Sequence, residues 1–128
     1  MRLLLDTCTF LWIIGGAKEL SPGAGEAFAD PGNEAFLSAA SAWEIAVKHR
    51  LGKLPLPEPA ETFVPARRRA HGLEPLAIDE EAALHVGKLP DLHRDPFDRM
   101  LVAQALVGGL VVLTPDDAIR AYPVRTLW

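Results

Sequence analysis

Residues 95–116, DPFDRMLVAQALVGGLVVLTPD, contain a complete helix-to-strand unit. Asp95 before Pro96 marks a helix start. Aspartate caps the free amides, and proline suits the first helical position because an N–H there has no partner in the helix. Leu101, Val102 and Ala105 then fall on the same face as Asp98, at i+3, i+4 and i+7. The pattern predicts the longest helix of the chain, running to Val107 and stopped by Gly108-Gly109. Leu110-Val111-Val112-Leu113-Thr114 follows without polar alternation, as a strand covered on both faces does. Helices above and below such a strand place the chain in the α/β class.

The rest of the chain agrees with that unit. Arg2 to Asp6 is another apolar run ending in an acid, and Thr7 is placed to cap a helix through Trp12 that ends at Gly15-Gly16. Ser21-Pro22 opens a helix to about Ala29, and Asp30-Pro31-Gly32-Asn33 is a turn. Glu34 to Ser38 reads as a strand, and Ala39 to Leu51 as a helix stopped by Gly52. Three prolines keep residues 53–59 extended. Glu61 to Ala70 is helical despite Pro65, and Leu73 to Ile78 is a third strand. Asp79 caps a helix ending near Gly87, with Glu80 and Glu81 where the helix dipole favours negative charge. Asp116 to Tyr122 is a short helix, and Val124 to Trp128 a last strand. This alternation predicts a mainly parallel sheet with helices on both faces, in a single domain over residues 1–128.

Composition narrows the function. The chain has 128 residues, 49% hydrophobic and 23% charged, which excludes a disordered tail, a coiled coil and a fibre. A net charge of −4 argues against a simple basic nucleic-acid binder. Cys8 is the lone cysteine, so there is no intramolecular disulfide and no CxxC site, and a reducing cytoplasm is expected. The apolar N-terminus is interrupted by Asp6 and followed by no convincing cleavage site, so it reads as fold and not as a leader. No apolar run is long enough to span a membrane.

The acids carry the chemistry. In open α/β sheets, ligands bind beyond the carboxyl ends of the strands, where Asp6 and Asp116 fall. Each is equally a good helix cap. Glu44 borders the apolar stripe of its helix near Val47 and Leu51; the plain alternative is a surface ion pair with Lys48, worth about 0.3–0.5 kcal/mol. Asp98 heads an apolar face, yet it also sits where a capping-box acid reaches back to the cap, and Asp95 takes the cap itself. If these acids converge, like charges raise one another's pKa until a divalent cation relieves them. Oxygen donors favour Mg²⁺ or Mn²⁺ over zinc or copper. His49, His71, His85 and His93 are scattered and read as surface or helix-end residues.

Four segments together resemble the PIN-domain ribonucleases, specifically the VapC-type toxins of type II toxin–antitoxin systems. They are Leu3-Leu4-Leu5-Asp6-Thr7, the run Ser38 to Ala46 containing Ser41, Trp43 and Glu44, the run His93 to Ala105, and Leu113-Thr114-Pro115-Asp116. Leu51-Gly52-Lys53-Leu54 is also typical. The resemblance implies a three-layer sandwich around a central sheet. It implies that Asp6, Glu44, Asp98 and Asp116 form an acidic quartet holding Mg²⁺ or Mn²⁺, with Glu44 acting through water. Asp95 competes with Asp98 for the third place. Thr7, Ser41 and Thr114 match supporting hydroxyl positions. The implied activity is metal-assisted hydrolysis of RNA phosphodiester bonds.

The implied partners are an RNA substrate, a cognate VapB-type antitoxin laid over the acidic cleft, and a second copy in a homodimer. Lys48, Arg50, Lys53, Arg94 and Arg99 are the basic residues placed to hold RNA phosphate, while Arg67-Arg68-Arg69 reads as an ordinary solvated face. Phe10, Trp12 and Leu54 to Pro57 are candidate dimer contacts. Two other readings stay open on the residues alone. One is a non-catalytic α/β binding module whose acids are helix caps. The other is a receiver-like phosphoacceptor domain, which would want an aspartate where Ser38 stands.

Overall fold

A computed structural model describes all residues from Met1 to Trp128. In chain order the elements are β1 (Arg2–Leu5), α1 (Thr7–Gly15), α2 (Pro22–Ala29), β2 (Glu34–Ser38), α3 (Ala39–Arg50), α4 (Ala60–Ala70), β3 (Glu74–Leu76), α5 (Glu80–His85), α6 (Pro96–Gly108), β4 (Val111–Leu113), α7 (Asp117–Arg120) and β5 (Thr126–Leu127). The five strands form one sheet in the order β3-β2-β1-β4-β5. Every pairing is parallel, so the expected mainly parallel sheet is entirely so.

Strand alternation sorts the core into two halves. Leu3 and Leu5 of β1 face one way with Phe10 of α1, Ala24 of α2, Ile45 of α3, and Phe63 and Val64 of α4. Leu4 faces the other way, with Leu101, Val102 and Ala105 of α6 and Ile119 of α7. Both faces of β1 are therefore covered, which is why its sequence carries no polar alternation. The result is the three-layer sandwich.

Most helix boundaries follow the capping chemistry. Ser21 caps α2, Asp79 caps α5 and Asp95 caps α6. Gly109 closes α6 in the left-handed region at φ 65°, a conformation glycine adopts without the Cβ penalty. Several expectations need correction. The cap of α1 is Asp6, not Thr7: Asp6 Oδ1 accepts from the Thr9 amide at 2.7 Å. The strands expected over 73–78 and 124–128 shrink to Glu74–Leu76 and Thr126–Leu127, both at sheet edges where one partner is missing. Pro75, without an N–H, is tolerated at such an edge. The last helix begins at Asp117, because Asp116 is its cap. Phe10, expected at a dimer contact, is fully buried in the core and reaches no partner.

Winding reverses at β1. The chain proceeds from β1 outward through β2 to β3, then returns to build β4 and β5 on the opposite side. The carboxyl ends of β1 and β4 thus flank the crevice where open α/β sheets take their ligands.

Candidate active site

Asp6 follows β1 directly and Thr114 follows β4 directly. Their side chains meet across that crevice, with the Thr114 hydroxyl donating to Asp6 Oδ2. Thr114 Oγ1 also accepts from the Asp116 amide at 3.0 Å. One buried hydroxyl therefore links two strand ends and sets the approach of two acids. Asp116 itself stays exposed, with Oδ1 accepting from the Ala118 amide at 2.9 Å.

From the opposite wall α3 brings Glu44, which is buried although charged. A buried carboxylate needs partners. Thr7 Oγ1 donates to Glu44 Oε1 at 2.6 Å, and Lys48 Nζ pairs with Oε2 at 2.5 Å. Thr7 Oγ1 also lies 3.0 Å from Ser41 Oγ. A hydroxyl has one hydrogen to give, so the Thr7 donation to Glu44 leaves Ser41 as the donor of the pair. The plain ion pair with Lys48 and the buried position of Glu44 thus coexist.

The third wall is the start of α6. Asp95 Oδ1 caps the helix, accepting from the Phe97 amide at 2.8 Å and the Asp98 amide at 3.3 Å. Asp98 makes no capping-box return. Its Oδ2 lies 3.0 Å from His93 Nε2. Histidine 93, read from sequence as a surface or helix-end residue, therefore joins the cluster. The available signal was its place five residues before Asp98, in the loop that leads into α6, but nothing in the sequence showed that this loop folds back.

These walls enclose a cleft of about 150 Å³ lined by Asp6, Thr7, Cys8, Glu44, Lys48, Asp95, Asp98 and Asp116. Five carboxylates and one ammonium share it. Burial pushes the Asp6 carboxyl up, against the bonds from Thr114 and Thr9 that pull it down. Burial also pushes Asp98 up to about 6, helped by Asp95 and opposed by His93. Contact with Glu44 raises Lys48, so the single cation of the cleft stays charged. Cys8, unremarked in sequence beyond its solitude, lines the cleft. Its thiol is raised by burial and then by the Asp6 and Glu44 charges, which disfavours a nucleophilic thiolate.

The remaining basic residues divide into two groups. Arg50, Lys53 and Arg94 are exposed. Arg99 is bound inward, donating to Pro90 O at 3.0 Å, Val86 O at 3.1 Å and Tyr122 Oη at 3.0 Å. In the triple-arginine run, Arg67 sits over the Phe63 ring at 4.8 Å and Arg68 donates to Leu73 O, both local structural uses. Trp12 packs edge-on against Trp128, with ring centroids 5.8 Å apart, and Leu54 and Leu56 pack on the core.

Comparison with known proteins fits this geometry. The sequence profile of the family described as PIN domain matches residues 3–124. Ribonuclease VapC16 of Mycobacterium tuberculosis is 54% identical over 56 residues, which is 44% of this chain and 40% of that protein. The aligned stretch thus spans less than half of that curated relative. Among solved structures, VapBC2 from Rickettsia felis bound to a DNA fragment from its promoter superposes with a TM-score of 0.73 at 13% identity, covering 98% of this chain and 97% of that one. DNA-bound VapBC from Salmonella typhimurium gives a TM-score of 0.70 at 21% identity, covering 98% and 96%. VapBC-1 from nontypeable Haemophilus influenzae gives 0.66 at 18% identity, also covering 98% and 96%. At these identities the structural likeness speaks for the fold.

Proposed function

The chain belongs to the PIN-domain family, and from that premise we propose that it is a metal-dependent endoribonuclease of the VapC toxin type, using Mg²⁺ or Mn²⁺ to hydrolyse RNA. One observation carries the reading: acids from four separate segments line a single small cleft with only one lysine among them. The donor set fits a hard divalent cation, since its uncommitted donors are mostly carboxylate oxygens. The raised Asp6 and Asp98 carboxyls mark charge that the protein alone leaves unrelieved.

Asp6, Asp98 and Asp116 would hold the ion, each keeping lone pairs beyond those used in capping or in the His93 bond. Asp98 is favoured over Asp95, because Asp95 Oδ1 already serves two amides. When bound, the ion supplies Lewis acidity toward a phosphate oxygen and acidifies coordinated water. Glu44 is held on both oxygens, so it is placed to act through water and to orient the attacking one. Thr7 and Ser41 fix Glu44, and Thr114 fixes Asp6. Arg50, Lys53 and Arg94 are free to meet RNA phosphates in a salt-dependent way. Lys48 and Arg99 first serve Glu44 and the loop around His93.

A VapB-type antitoxin is the proposed neutralising partner, with an arginine paired to the cleft carboxylates. A homodimer and a cytoplasmic location complete the proposal; no helix is long and apolar enough to cross a membrane. The binding-module reading draws on Asp6, Asp95 and Asp116, each of which caps a helix. Capping spends one oxygen of each, so the two readings part at metal binding. Purified protein incubated with total RNA should cleave it with Mg²⁺ or Mn²⁺ and stop in EDTA. Cleavage undiminished in EDTA, or calorimetry showing no Mn²⁺ binding, would overturn the proposal.

A further inference from the structure

We infer that His93 is a positioning residue for the metal-binding carboxylate of Asp98: its ring donates to one oxygen and leaves the other for the cation. The inference rests on the function proposed above and adds a residue to that site.

His93 Nε2 and Asp98 Oδ2 are 3.0 Å apart. An ionised carboxylate only accepts, so against ionised Asp98 the ring donates through Nε2. Carboxylates that ligate metals are commonly held this way by an outer hydrogen bond, which sets their orientation. The two residues reach each other from different sides. Asp98 stands on the first turn of α6, whereas His93 lies in the loop before it.

That loop is held by the rest of the fold. The His93 carbonyl lies 3.5 Å from Arg99 Nη1 and 3.4 Å from Tyr122 Oη. Arg99 also binds the carbonyls of Pro90 and Val86, and its bond to Tyr122 closes the clamp. Arg99 comes from α6, one residue after Asp98, and Tyr122 lies just beyond α7. The main chain of His93 is thus tied to the helix that carries its acid. An incidental surface contact needs no such arrangement. The ring also lines an open depression of about 570 Å³, so truncating it leaves no sealed cavity in the core.

The ring could instead ligate a metal directly, since donor atoms of His93, Asp95 and Asp98 all lie within 4.8 Å of one another. The hydrogen-bonding role predicts rescue by glutamine, whose amide can donate from a similar position but is a poor metal ligand. The test is Mn²⁺ calorimetry and steady-state RNA cleavage on the full chain for wild type, His93→Ala, His93→Gln, Asp98→Asn and the double variant His93→Ala/Asp98→Asn. His93→Ala is expected to weaken Mn²⁺ binding about 10-fold or more and to lower kcat with KM for RNA nearly unchanged. His93→Gln is expected to restore most of both. In the Asp98→Asn background, His93→Ala is expected to add nothing.

Wild-type Mn²⁺ affinity in His93→Ala, failure of glutamine to rescue, or additive losses in the double variant would each overturn the inference alone. So would nitrogen coupling from a directly bound imidazole in pulsed electron paramagnetic resonance of the Mn²⁺-loaded wild type. A wild type that binds no Mn²⁺ would overturn the metal reading and this inference with it.

Discussion

Replacing Asp98 with asparagine should make the metal-free protein more stable near neutral pH. Asp98 is pushed from an ordinary 3.8 up to about 6, first by burial and then by the neighbouring Asp95 charge. A raised acid binds its proton more tightly folded than unfolded. From about pH 4 to 6 the native state therefore carries more protons, and stability falls as pH rises through that window. The difference between those two values corresponds to ~3 kcal/mol. The Asp98 side chain is only 15% exposed, so solvent screening reduces this modestly. Asparagine keeps an acceptor for His93 but carries no charge, so it escapes the cost. For a domain of this size the gain corresponds to a rise in Tm on the order of 5–10 °C. The assay is calorimetric melting in EDTA from pH 3.5 to 8. The two proteins should melt together below about pH 4, where both carry a neutral group, and separate above it. Mn²⁺ should close the gap at about 100 times its Kd and reverse the order near 1,000 times, where a ligand stabilises the native state by about 2.7 and about 4.1 kcal/mol respectively, because the variant lacks a ligand oxygen. Asp98→Asn melting below wild type in EDTA at pH 8, or a gap that does not change with pH, would refute the reasoning.

Asp6→Asn keeps an oxygen for the Thr9 amide, so circular dichroism should be unchanged while RNA cleavage falls by at least the roughly 10–100-fold that loss of a mere outer-shell partner costs a metal site. Glu44→Gln should lower kcat strongly while calorimetric Mn²⁺ affinity stays within a few fold; a parallel loss of affinity would make Glu44 a direct ligand. Gly109→Ala, at φ 65° with open space around it, should cost about 1 kcal/mol from backbone strain alone, read in a urea melt. Arg94→Ala should weaken binding of unrelated RNA sequences alike and reduce the slope of log affinity against log salt by about one.

Much of the frame was legible because its cause is local. A strand buried on both faces must be apolar throughout, so β1 and β4 announced themselves, and their exits marked Asp6 and Asp116. Caps and glycine stops are likewise written in neighbouring residues. Failures came where the deciding partner is distant. Asp6 and Thr7 are adjacent and both able to cap, aspartate somewhat better, and the folded backbone selects Asp6. Arg99 counted as a free cation until three carbonyls and a tyrosine claimed it. Phe10 looked available for a partner because helix α1 is apolar over most of its length, and periodicity there cannot say which side faces the sheet. His93 and Cys8 entered the acidic cluster through loop and helix placement that no spacing rule encodes.

Asp6, Asp95 and Asp116 each anchor the entrance of a helix with the same side chain they present to the cleft. Shape and chemistry are therefore inherited together. Replacing any of these aspartates with a side chain that cannot cap loosens a helix entrance and removes a cleft carboxylate in one step. Asparagine is the exception, since it holds helix amides as well as aspartate does while giving up the charge. Asparagine at these three places would thus separate the cleft's charge from the helix starts it shares side chains with.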